Sequence, residues 1–447
     1  MDQNLIFHGT VIHSRNPAEI SIFKNTLLII STDGRISTLR KDTNKSLVPT
    51  ILAGLKASGE PTYLDRGHFI IPGFIDTHNH APQWAQRGLG QSMHILDWLD
   101  EVTFPNEARF RDPDYARRIY SSCIEGFLKQ GITTASYYGS MHAEATRILA
   151  DLCLEKGQRA FVGKCNMSRN SPDYYRDATV QSSLQDTRDC IDHIRNIDPE
   201  STLLKHVLTP RFAIACEAEL LRGLGDIANE NPDLPIQTHF NEAEQEINLT
   251  KTLFSQFENE ADLYEHYGLL TRRSILAHCC FMTEYEMGRL KELDCGVSHC
   301  PISNMTVGGG FMASPIRDFL RRGIKVGLGT DSGGGFSSSI LDAMRQALIA
   351  SNAREVMSKG KDKGLSIAEV FYLATLGGAR VCCLDDKIGS FEEGKEFDAL
   401  VINTASSGIM TMVEDDDPIR TIFDKFIMTG DDRNIEKVYV RGRSVKS

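Results

Sequence analysis

Eight short apolar stretches, each closing on a polar or glycine-rich turn, recur through the middle of the chain: FIIPGFIDTHNH, GITTASYYGS, RAFVGKCNM, LKHVLTPRFAIAC, LPIQTHFNE, SILAHCC, CGVSHCPISN and IKVGLGTDS. Longer amphipathic segments such as PDYARRIYSSCIEGFLKQG and AEATRILADLCLEKG separate them, with Gly131 and Gly157 placed to stop helices. Strands that alternate with helices imply parallel βαβ units, and eight of them imply a closed α/β fold, the (β/α)8 TIM-type barrel. The ends of the chain have a different texture. LIFHGTVIHS and TLLIISTDGRIS near the start, and FDALVINT and IEKVYVRGRSV near the finish, read as β-structure. They are expected to pair into a small β-sandwich-like domain, giving a composite unit of 1–70 with 390–447 around a barrel of 71–389.

Composition narrows the function classes. With 41% hydrophobic and 24% charged residues over 447 positions, the chain reads as a soluble globular protein of enzyme size. A net charge of −11, with no run of Lys or Arg, argues against nucleic acid and against anionic membrane surfaces. No apolar run is long enough to span a bilayer, and the opening MDQNLIFHGTVIHS does not read as a signal peptide. Eleven cysteines are scattered without a C-x-x-C pair, which suits a reduced, cytoplasmic protein.

In a barrel of this type the chemistry sits where the strands end. The first stretch ends in His78 and His80, and alternate residues leave a strand on the same side. The fifth ends in His239, followed by Glu242; the sixth ends in His278; the eighth ends in Asp331. Taken singly, each has an ordinary explanation. A lone strand-end histidine is more often structural, and Asp331 could cap a helix or a turn. The run Gly333-Gly334-Gly335 reads as a tight turn, since no Gly-Lys-Ser/Thr follows it to make a phosphate cradle. Together they place imidazoles and carboxylates at one end of one barrel, the donor set of a catalytic zinc site. The other zinc pattern fails: His142-Ala143-Glu144 fits H-x-E, but no P-C-x-x-C follows.

PGFIDTHNH, THFNE, LAHC, SHCPISN and GLGTDSGGG, in that order, resemble the amidohydrolase superfamily. DTHNHAPQWAQRG, DWLDEVTFPNEARF, GQRAFVGKCNM, TPRFAIAC and ATLGGARV narrow the resemblance to the guanine deaminase family, over nearly the whole chain. The resemblance implies hydrolysis of guanine to xanthine and ammonia by a homodimer with one zinc ion per subunit. His78, His80, His239 and Asp331 would bind the metal, with Asp331 and His278 also orienting the attacking water. Glu242 would shuttle protons, and Gln83, Arg211 and Phe212 would contact the purine. The bridging lysine of two-metal relatives has no counterpart at the end of the fourth strand, so a single ion is implied. Ile302 departs from the family's usual polar residue. Two alternatives stay open: the same barrel acting on another aminated or halogenated ring, and a non-catalytic scaffold.

Overall fold

All eight apolar stretches contain strands: β1 (Phe74–His80), β2 (Ile132–Tyr138), β3 (Arg159–Gly163), β4 (Leu204–His206), β5 (Ile236–Phe240), β6 (Ser274–His278), β7 (Gly296–His299) and β8 (Lys325–Leu328). The computed structural model describes residues 3–307, 311–406 and 408–446; positions 1, 2, 407 and 447 of the expected β domain lie outside them. The strands form two four-stranded parallel sheets, ordered β4-β3-β2-β1 and β5-β6-β7-β8. At one seam Leu208, just past β4, bridges Ile236, and the Gln237 N–H donates to the Leu208 carbonyl at 2.8 Å. At the other seam the Asp331 N–H donates to the His78 carbonyl at 2.9 Å, and Thr77 Oγ1 donates to the Leu328 carbonyl at 2.9 Å. The barrel is closed.

Every residue of β1, β2, β3, β6 and β7 is buried, which is why these strands read as continuous apolar runs and not as alternating ones. Ile75, Phe161, Val207 and Ile275 meet Ala379, Val381 and Ile388 in an apolar plug inside the barrel. The outer helices follow local rules. Helix Pro113–Lys129 starts at Asp112, whose carboxylate accepts the Asp114 N–H at 3.0 Å. It buries the stripe Ala116, Tyr120, Cys123 and Phe127, and the chain turns at Gly131 with φ +81°.

Strands from both ends of the chain, including Leu5–Asn16, Glu19–Ile30, Ala399–Asn403 and Ile435–Val440, share a single eight-stranded sheet with His68–Pro72. This β domain buries a cluster of its own around Phe7, Val11, Leu28, Ile70 and Phe397. Arg159, at the start of β3, fastens it to the barrel by donating to Glu396 at 2.6 Å and Asp398 at 3.0 Å. Among the described residues no helix is long and apolar enough to cross a membrane.

One helix contact is tight enough to test. A Cβ on Gly225 would lie 1.8 Å from the Tyr267 carbonyl oxygen, a backbone atom that cannot swing away. Gly225→Ala is therefore expected to destabilise the fold by about 1–3 kcal/mol. Differential scanning fluorimetry would show a lowered melting temperature; an unchanged one would mean that the helix Ala218–Glu230 slides freely on its neighbour.

Candidate active site

Strand ends bring the polar residues to one mouth of the barrel. His78 and His80 project together from β1, their rings perpendicular with centroids 5.1 Å apart. His239 lies face to face with His278 at 5.4 Å and with His80 at 5.2 Å. Asp331 enters from the turn after β8, its Oδ1 at 3.3 Å from His78 Nε2 and 3.6 Å from His80 Nε2. The backbone bends sharply to deliver them: Asn241, His278 and Asp331 have φ of +46°, +73° and +44°. Such conformations cost about 1–3 kcal/mol each and cluster where side chains must be aimed. Asp76 stitches the mouth together from below, accepting from the Thr330 N–H at 3.0 Å and the Thr330 hydroxyl at 2.6 Å.

The arrangement fits a tetrahedral cation. Bonds of about 2.0–2.1 Å to a tetrahedral zinc set neighbouring donors about 3.3–3.4 Å apart. His80 Nε2 and His239 Nε2 are 3.2 Å apart, close to that spacing. The His239 Nδ1 faces the Arg211 carbonyl at 2.6 Å, so Nδ1 carries the proton and Nε2 turns a lone pair inward. His78 Nε2 is buried without a hydrogen-bond partner among the described residues. Burial holds the four site histidines below their ordinary pKa, hence neutral. Burial opposes the Asp331 charge, yet the His78 ring 3.3 Å away and the surrounding imidazoles outweigh it and hold the carboxyl well below its ordinary range. Three neutral imidazoles and one carboxylate make a donor set for a divalent metal. Cys300 also lies within reach of His78 and His278, but its Sγ contacts Ser298 and burial pushes the thiol well up, so it is the poorer ligand.

Glu242 and His278 stand beside this set. The Glu242 Oε1 is 3.6 Å from His278 Nε2, and that nitrogen has no hydrogen-bond partner among the described residues. Asn304 Oδ1 meets His278 Nδ1 at 2.8 Å and fixes the ring with Nε2 free. Burial, then the Asp331 charge, pushes the Glu242 carboxyl well above its ordinary value. Its backbone is anchored by two further buried acids: Glu246 accepts the Glu242 N–H at 3.1 Å, and Glu260 accepts the Asn241 N–H at 2.9 Å.

A narrow cavity opens onto the cluster, lined by Gln83, Arg211 and Phe212 together with Trp98, Leu99 and Glu242. Gln83 sits in the turn after β1, and the glycines after β8 make room for it. A Cβ on Gly333, whose φ is +125°, would fall 2.1 Å from Gln83 Oε1. Trp84 faces away, packed on Phe127 and under Arg87. Ile302 is buried in the main apolar core.

His78, His80, Gln83, Arg211, Phe212, His239, Glu242, His278 and Asp331 thus come together at this mouth. The residue given no role in the sequence is Glu107, within DWLDEVTFPNEARF, which is fully buried and takes hydrogen bonds from Gln83 at 2.7 Å and from Arg211 at 2.7 Å. It lies at the end of an irregular run of short helices with a π-turn at Leu99–Thr103, a segment with no periodic signal to mark it. A π-turn of this kind is frequent at functional sites, but only coordinates reveal it.

The amidohydrolase family model matches residues 69–445. Guanine deaminase of Dictyostelium discoideum is 38% identical over 99% of this chain and 98% of its own length. Guanine deaminase of Mus musculus is 38% identical over 99% of this chain and 96% of its own. The crystal structure of guanine deaminase from C. acetobutylicum with bound guanine superposes with a TM-score of 0.90, at 32% identity and 99% coverage of both chains.

Proposed function

The chain belongs to the amidohydrolase family, among the guanine deaminases, and from that premise we propose that it hydrolyses guanine to xanthine and ammonia with one zinc ion per subunit. The observation that carries the reading is the convergence of three neutral imidazoles and the Asp331 carboxylate beside a protonatable glutamate, at the floor of a cavity lined by Gln83, Arg211 and Phe212. His78, His80, His239 and Asp331 would hold the metal. When bound, zinc supplies a nucleophile at neutral pH, because coordination lowers the pKa of water from 15.7 to about 7.

The chain's own groups do the rest. Asp331 Oδ and His278 Nε2 are acceptors that orient the water's protons toward themselves and its oxygen toward C2 of the base. Glu242 places its proton on N3 as C2 becomes tetrahedral. It then carries one proton from the water to the departing amine, so that ammonia leaves, while the water's other proton passes through Asp331 or His278 and restores the Glu242 carboxyl. Arg211 presents N–H donors to O6, Gln83 reads the adjoining ring edge, and Phe212 offers a face to the base. A 6-amino purine would leave the Arg211 donors facing another donor, a strong penalty in a buried site.

The reaction is part of purine breakdown or salvage. Eleven cysteines free of disulfides support a reducing, cytoplasmic setting, and the family resemblance supports a homodimer. The direct test follows guanine by ultraviolet absorbance with purified protein and measures xanthine and ammonia. Stoichiometric formation of both is expected; brisk turnover of another ring with none of guanine would overturn the assignment. Arg211→Lys keeps a cation beside Glu107 but loses the planar fork. KM for guanine is expected to rise about 10–100-fold with zinc content unchanged, and loss of zinc in this variant would make Arg211 structural instead.

A further inference from the structure

We propose that Glu107 is a positioning residue that dictates the hydrogen-bonding polarity of the ring edge this cavity accepts, an inference that rests on the guanine reading above. The Glu107 carboxylate is fully buried and is met by donors on both oxygens. Oε1 accepts from Gln83 Nε2 at 2.7 Å and Arg211 Nη2 at 3.3 Å. Oε2 accepts from Arg211 Nη1 at 2.7 Å and the Tyr175 hydroxyl at 2.7 Å. Tyr175 itself accepts the Met141 N–H at 3.2 Å, so its own proton goes to Glu107. The lone pairs of the carboxylate are thereby taken up inside the protein.

The consequence is directional. A carboxylate only accepts, so the Gln83 amide must turn its nitrogen toward Glu107 and its oxygen away. That oxygen is buried against Gly333 and has no hydrogen-bond partner among the described residues, on a residue that lines the cavity. Arg211 is locked by the same carboxylate in a two-pronged fork, with the Phe104 ring 5.3 Å from its guanidinium carbon. Its Nη1 also meets Cys165 Sγ and Met167 Sδ at 3.9 Å, so the N–H groups left for a ligand are on Nε and Nη2. Donors from Arg211 and an acceptor from Gln83 thus stand side by side. Their complement is a ring carbonyl next to a ring N–H, the O6/N1–H edge of a 6-oxopurine. A 6-amino purine offers the reverse order. With a neutral amide at position 107 the Gln83 amide is free to turn over, and the cavity loses its fixed polarity.

The test is equilibrium binding of hypoxanthine and of adenine to the zinc-loaded protein, in wild type, Glu107→Gln and Tyr175→Phe. Neither ligand carries the 2-amine, so binding is read apart from turnover. Wild type is expected to prefer hypoxanthine, and Glu107→Gln to lose about ten-fold or more of that preference with zinc content retained. A merely structural role would weaken both ligands alike, and an unchanged preference overturns the proposal. Should Glu107→Gln fail to fold, Tyr175→Phe decides on the same readout. Loosening the carboxylate by one donor is expected to cut the preference about three-fold, and no change overturns it. Guanine turnover in wild type keeps the two readings apart. Turnover with an unchanged preference in the variants sinks Glu107 alone, whereas a preference for hypoxanthine without turnover sinks the reaction alone.

Discussion

Glu242→Gln is expected to keep its metal and lose about 10²–10⁴-fold in kcat, the range that positioned proton transfer contributes. The substitution is nearly isosteric, and the loop that carries it stays pinned because Glu246 and Glu260 hold backbone N–H groups, not the side chain. What changes is the chemistry of the carboxyl alone. An amide 3.6 Å from His278 can neither deliver a proton to N3 nor collect one from water. KM for guanine should move little, since Arg211, Gln83 and Phe212 are untouched. Steady-state kinetics with metal analysis on the same sample would check it; a variant with normal kcat would place the proton carrier elsewhere.

Asp331→Asn is expected to have the larger effect, a fall in activity of more than about 10⁴-fold accompanied by loss of metal. Asparagine is the fitting replacement because position 331 has φ +44°, a left-handed conformation that Asn tolerates better than most residues. The backbone hydrogen bond to His78 that helps close the barrel should survive, so the protein should fold. Two things are removed at once on the proposed mechanism: the only carboxylate among the four proposed metal donors, and an acceptor for the water's proton. Mass-spectrometric metal analysis after dialysis should find the variant depleted. Full occupancy with high activity would show that the metal and its water depend on other residues.

Much of this was legible because it follows from short-range rules. Barrel strands buried on both sides read as apolar runs, and the polar residue that ends each one marks the mouth. His78 and His80 declare themselves by strand periodicity, and His239, His278 and Asp331 by standing at strand ends. The residues that tune the site do not announce themselves in this way. Asp76 looks like part of a strand until Thr330, just past β8, is brought against it across the seam that closes the barrel. Asn304, which orients His278, lies on a short helix after β7. Glu107 is separated by 104 residues from the arginine it pairs with, in a segment without regular repeat. Positions set by tertiary closure alone leave no local periodic trace, and they are where sequence reading ran out.

The most direct measurement is anomalous diffraction at the zinc edge from crystals of the metal-loaded protein. One peak per chain is expected, with the Nε2 atoms of His78, His80 and His239 and a carboxylate oxygen of Asp331 at about 2.0–2.2 Å from it. A zinc-loaded, guanine-active crystal with no ion among those four side chains, or with its ion bound elsewhere, would contradict the assignment.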